Sequence, residues 1–144
     1  MATLTVTVAE ALTLDDEDVG TSRTFSYTDV DNLIKQTVLV DTAAQRVLFT
    51  FGTTAVGGGV IRTNFRYARI RNMDATNYVT LRLLVTGAET IYLRLDAGEI
   101  FLLTHSAIDV DAAAGAFGAF ANLDSVAAQA NTASVQLEVY VASA

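Results

Sequence analysis

The sequence predicts an all-β protein, an antiparallel two-sheet β-sandwich with jelly-roll-like connections, formed as one domain over residues 1–144. Three features predict it. Apolar and polar residues alternate with period two along much of the chain, the pattern of strands that bury one face. Clusters of Gly, Asn and Asp interrupt that alternation at short intervals, as hairpin connections require. One segment, residues 106 to 133, departs from the alternation and supplies the long crossover that a jelly roll needs.

The elements follow in order. Leu4, Val6 and Val8 alternate with Thr3, Thr5 and Thr7, which places the first half-buried strand near the N-terminus. Asp15-Asp16-Glu17-Asp18, followed by Gly20, reads as an exposed acidic loop, and Phe25 and Tyr27 open the next extended stretch. Val38 with Val40, and Val47 with Phe49 and Phe51, mark two further strands separated by residues 41–45. Gly57-Gly58-Gly59 is too flexible for the interior of an element and marks a loop. Residues 65–71, 78–85, 89–95 and 99–104 form the densest strand run, joined by residues 72–77, 86–88 and 96–98.

Val135, Leu137, Val139 and Val141 alternate with Gln136, Glu138 and Tyr140, a closing strand expected to pair centrally. Residues 106–133 are rich in Ala and carry Phe117 and Phe120, which must be buried somewhere. Residues 123–130 are expected to make one or two helical turns. The segment is read as a long loop lying over the sandwich, with an intersubunit contact arm as the alternative.

Composition narrows function. Cysteine is absent, so disulfides, thiolate nucleophiles and thiolate metal sites are excluded and stability must come from packing. No uncharged apolar run has transmembrane length, and the residues after Met1 lack the basic and apolar regions of a secretory signal, so neither a membrane partner nor export is expected. The net charge is −7, unevenly spread. Arg62, Arg66, Arg69, Arg71, Arg82 and Arg94 face only Asp74 and Glu89 between residues 62 and 94, a local balance of +4. An acidic chain is a poor nucleic-acid ligand, but opposed charge segments suit pairing with a neighbouring copy or an acidic surface. Eight of the nine basic residues are Arg, the type suited to partly buried pairing. A mean hydropathy of +0.37 is high for a domain whose strands all have a solvated face, which suggests that some apolar surface meets another subunit.

No reactive constellation stands out. His105, the sole histidine, precedes Ser106 and lies four residues before Asp109, but neighbours on an extended chain point to opposite faces. One histidine does not make the multi-histidine metal centre of cupin-type jelly rolls. Asp29, Asp31, Asp109, Asp111 and the acids at 15–18 could offer oxygens to calcium, and solvated loop acids explain them more simply. Asp96 and Glu99 around Gly98 read as a tight turn rather than an acid-base pair. The expectation is therefore a protein with no enzymatic activity and no cofactor or metal. Arg69 and Arg71 share one strand face, and with Arg66, Phe117 and Phe120 they are the candidate interface residues.

Tyr67-Ala68-Arg69-Ile70-Arg71-Asn72-Met73-Asp74, Asn77-Tyr78-Val79-Thr80-Leu81 and Leu95-Asp96-Ala97-Gly98-Glu99-Ile100-Phe101-Leu102-Leu103 resemble small structural proteins encoded in tailed-bacteriophage morphogenesis clusters. Residues 123–132, running into residues 135–140, are similar to the C-terminal strand entry of such proteins. The resemblance spans residues 65–141, and its motifs are hairpin patterns. It implies a β-sandwich of the head-decoration or cement type, a homotrimer on the capsid surface of the virion that bridges subunits of the major capsid protein. It carries over no catalytic or receptor-binding residue. A tail or neck protein, or a glycan- or receptor-binding sandwich, are the alternatives.

Overall fold

Two sheets carry the core of the computed structural model, which describes residues 1–54, 57, 59–85, 87, 90–108 and 119–144. Along the chain the described strands are β1 (Ala2–Glu10), β2 (Thr13–Leu14), β3 (Glu17–Asp18), β4 (Thr21–Val30), β5 (Asn32–Val40), β6 (Arg46–Gly52) and β7 (Gly59–Ile61). They continue as β8 (Phe65–Asn72), β9 (Val79–Val85), β10 (Ile91–Leu95), β11 (Ile100–Leu103), β12 (Ala107–Ile108), β13 (Ala121–Ala130) and β14 (Val135–Ser143).

One sheet has the order β11-β8-β14-β5; the other runs β10-β9-β13-β6-β7, with β12 added on β13. Apart from the β9–β10 hairpin, successive strands of the eight-strand core cross from one sheet to the other, which is the connectivity of a jelly roll. All core pairings are antiparallel; β7 joins β6 in parallel, so the second sheet is mixed at its edge.

Period two explains the packing. Val135, Leu137, Val139 and Val141 of β14 point inward and are fully buried, and β14 pairs on both sides, with β5 and β8, as its apolar row predicts. Val79, Leu81, Leu123 and Val126 face them from the other sheet. Edge-to-face contacts from Phe49 to Phe51 and from Phe51 to Phe65, with ring centroids 5.5 and 5.1 Å apart, extend the core toward the start of β8.

Two expectations are corrected. Residues 123–130 are not helical: they lie in β13, a ten-residue strand hydrogen-bonded to β9 on one side and β6 on the other. The register shifts between Leu123 and Ser125 against β9, and between Val126 and Ala127 against β6, so alternation is erased. Two flanking ladders then outweigh the helix preference of Ala, whose small side chain suits a strand buried on both faces. The segment is thus partly a central strand rather than a long loop; Phe117 lies outside the described residues.

The second correction concerns the N-terminal strand. Among the described residues β1 pairs only with β4, as a two-stranded ribbon apart from both large sheets, and every residue from Thr7 to Val19 is exposed. Leu4 and Val6 are half-buried, whereas Val8 is open to solvent. The acidic run is the ribbon's tip: Leu14 pairs with Glu17 across Asp15 and Asp16, whose φ values of 51° and 65° fit the mirror-image turn that two-residue hairpins use. The expected turn at 96–98 is present, with Gly98 at φ 76°.

Candidate interaction surface

β8 alternates its side chains, so Ala68 and Ile70 enter the core while Tyr67, Arg69 and Arg71 stand on the outer face of the four-stranded sheet. In register beside them are Glu138 and Tyr140 of β14 and Ile100 and Leu102 of β11. Ile100 is 51% exposed and Leu102 40%. Exposed branched side chains on a three-strand platform form an apolar strip bordered by guanidinium groups.

The arginines on this face have different roles. Arg69 is half-buried, forms an ion pair with Glu138 and lies 5.8 Å over the Tyr140 ring. Arg71 is exposed and has no ion-pair partner among the described residues. Arg66 belongs elsewhere: its Nη1 donates to the carbonyls of Thr63 and Phe65, and it lines a separate cavity of about 390 Å³ with His105 and Ser106.

The remaining arginines of the basic segment disperse. Arg62 meets Asp124 at 3.4 Å, Arg82 donates to Gln45, and Arg94 pairs with Asp96 and lies 4.0 Å from the Tyr78 ring centroid. Clustering in sequence does not become one patch, because β8 with Arg69 and Arg71 lies in one sheet while β9 with Arg82 and β10 with Arg94 lie in the other. Phe120, 77% exposed, precedes β13 in the other sheet and does not line the groove that Arg69 lines.

The ribbon supplies a second wall. Leu4 faces Tyr27, Val6 faces Phe25 and Val8 faces Arg23 on one side, while Thr5, Thr7 and Ala9 face Ser26, Thr24 and Ser22 on the other. One side is thus apolar except for Arg23 and the other almost entirely hydroxyl-bearing. Tyr27 packs on Tyr67 with centroids 6.0 Å apart, and Tyr67 lies 6.3 Å from Tyr140, which anchors the ribbon's base. Burial pushes the Tyr67 phenol above its ordinary value, and the Arg69 charge pulls the other way. Beyond this anchor an open groove of about 620 Å³ separates β1 from Arg69, Ile100, Leu102 and Tyr140. Its signal lay in the sequence: Leu4 and Tyr27, like Val6 and Phe25, are equidistant from the Asp15-Asp16 turn.

The candidate reactive groups have ordinary partners. His105 Nδ1 accepts from the Ala107 N–H at 3.1 Å, and Ser106 Oγ donates to the Arg62 carbonyl at 3.4 Å, so the two side chains are not bonded to each other. Asp109 and Asp111 lie outside the described residues. Asp96 accepts from Arg94 Nε at 2.7 Å, while Glu99 Oε2 accepts from the Asp96 N–H at 2.9 Å and closes the turn. Among the described residues no group of three His, Cys, Asp or Glu side chains is placed to hold a metal ion. No family model matches the chain, and no curated protein or solved structure matches it either.

Proposed function

We propose that the chain is a structural virion protein of the head-decoration or cement type, which attaches through the outer face of its four-stranded sheet and bridges subunits of a phage's major capsid protein. The observation that carries this reading is the exposed strip of Ile100 and Leu102 on β11 beside Arg69 and Arg71 on the adjacent strand β8. Apolar side chains supply desolvation and the arginines supply register and charge pairing, the mixture found at specific protein interfaces. The strands that build this face come from the stretch that resembles phage morphogenesis proteins. Jelly rolls recur in capsid and lectin domains, an analogy of fold that supports this reading.

The test is addition of purified protein to assembled particles that lack it, with bound copies counted by mass. A fixed ratio to the major capsid protein supports the reading; absence from heads overturns it, and saturable binding to tails or necks moves the protein to that part of the virion.

A glycan-binding module is the second reading, favoured by one observation on the other sheet. Tyr92, 59% exposed, borders a hollow of about 140 Å³ with Gln45, Thr80, Arg82 and Gln129, which combines an aromatic platform with amide and guanidinium donors. Saturable binding to a glycan array, abolished by Tyr92→Ala, distinguishes it from capsid attachment.

A further inference from the structure

We propose that the groove between the ribbon and the outer sheet face receives the ribbon tip of a second copy of this chain. The proposal rests on the reading of the chain as an assembly subunit; it places a second copy on the face that reading gives to the capsid, so the two occupants compete for Arg69, Arg71, Ile100 and Leu102, and it is tested without particles.

The ribbon is incomplete by itself. A two-stranded hairpin is marginally stable in water, and one with an exposed apolar side gains from a partner surface. Here the ribbon's base is anchored through Tyr27 and Tyr67, while its far end, with Leu12, Leu14 and Val19, is exposed. From Ala2 to Leu14 the strand direction covers roughly 40 Å at about 3.3 Å per residue. Residues 4–9 already line the groove, so the tip extends past it. The two-residue turn at Asp15 and Asp16 lets the chain return only along its own strand, leaving this tip no route back into its own groove.

Charge and shape make another copy's groove the matching receptor. The tip carries Glu10, Asp15, Asp16, Glu17 and Asp18 around Leu12, Leu14 and Val19. The receiving face has Arg69 and Arg71 around Ile100 and Leu102. The apolar residues of the tip match the apolar strip, and its acids match Arg71, which has no ion-pair partner among the described residues, while Arg69 is already tied to Glu138. Among the described residues β11 is also the edge strand of its sheet, the position at which an added strand pairs. Because the tip and groove are different surfaces, the contact is head-to-tail, and it closes into a ring or continues as a chain according to its rotation.

The absence of cysteine permits a direct test. Leu14→Cys and Ile100→Cys, both at exposed positions, are made in separate chains and mixed under mild oxidation. The expected result is a covalent heterodimer in the mixture well above the level of either homodimer. Sedimentation of the wild type should show concentration-dependent association. Glu10→Lys with Glu17→Lys should weaken this by about tenfold or more, and adding Arg71→Glu to that variant should restore it, as charge complementarity requires. A monomer at high micromolar concentration, disulfides no more frequent in the mixture than in either variant alone, or a reversal that fails to restore association would overturn the proposal. Failure to bind capsids leaves these outcomes untouched and bears only on the virion reading.

Discussion

The side-chain amide of Asn72 donates to the carbonyl of Leu95 across 3.2 Å inside the sandwich, joining the end of β8 to the end of β10 in the opposite sheet. The same amide donates to the Asn77 carbonyl at 2.9 Å, and Asn72 Oδ1 accepts from the Asp74 N–H at 3.0 Å. Asn72 is completely buried and its side chain serves three backbone groups. Asn72→Leu keeps approximate size but leaves those groups unpaired in a region closed to water. The expected loss is about 1–3 kcal/mol or more, measured as a fall in denaturation midpoint at unchanged slope. Unaltered stability would mean that water reaches and replaces the amide.

Asp74 closes the same connection. Its carboxylate accepts from the backbone N–H groups of Asn77 and Thr76, at 2.7 and 2.8 Å, and from their side chains. These bonds, the Asn77 backbone donor first, hold the carboxyl below its ordinary value of 3.8. A carboxyl depressed in the folded state adds stability at pH above its unfolded value and loses it as pH falls through the folded one. The stability difference between wild type and Asp74→Ala should therefore be greatest near neutral pH and shrink in acid below the ordinary carboxylate range. Paired urea titrations across pH check the sign; a difference that grows on acidification contradicts it.

Period two made much of the sandwich legible in the sequence, because strands such as β14 bury every second residue without interruption. It failed where geometry breaks the period. In β13 two register shifts and a run of Ala remove the alternation, and in β6 the shift opposite Val126 buries both Leu48 and Phe49 while leaving Val47 exposed. The ribbon failed for a different reason: alternation tells which side of a strand is apolar, not whether a sheet covers that side. At the candidate interface, Arg69 and Arg71 share a face as their spacing requires. Arg66 is an odd number of residues from both, so the same alternation keeps it off their face.

The strand assignment for β13 has a direct test in Ala128, which is fully buried and stands opposite Leu81. Ala128→Leu would suit a surface helix, but in this strand it forces extra carbon atoms into a filled layer. The expected cost is about 1–3 kcal/mol, read from thermal or urea unfolding. A neutral or stabilising effect would argue for space between the sheets.

Leu137 lies in the centre of β14 with no exposure, between Val38 and Asn72 on the neighbouring strands. Leu137→Ala should cost about 2–5 kcal/mol through lost burial and an unfilled cavity. Removing the chain from Ser134 onward also deprives β5 and β8 of their shared ladder, so that shortened protein should not fold in soluble form. Cooperative unfolding at the wild-type midpoint in either variant would place the strand outside the stabilising core.

Arg69 and Arg71 should separate when substituted one at a time. Arg69 is tied to Glu138 and Tyr140, so Arg69→Ala removes a half-buried ion pair and a ring contact and should lower stability by about 0.5–1 kcal/mol. Arg71 is exposed without such ties, and Arg71→Ala should alter stability by no more than about 0.5 kcal/mol. Both should weaken attachment if the outer sheet face meets an acidic partner. For Arg71 the expected signature is a slower on-rate and a shallower salt dependence, because a charge near the rim of an interface acts mainly on encounter. For Arg69 the off-rate should rise as well, since Glu138 is left without its cation at the desolvated centre. Kinetics of particle binding over a salt series, with melting curves of the same preparations, distinguish these outcomes. If both variants bind as the wild type does at every salt concentration, the attachment surface lies elsewhere, and the exposed Tyr92 side of the other sheet becomes the next face to substitute.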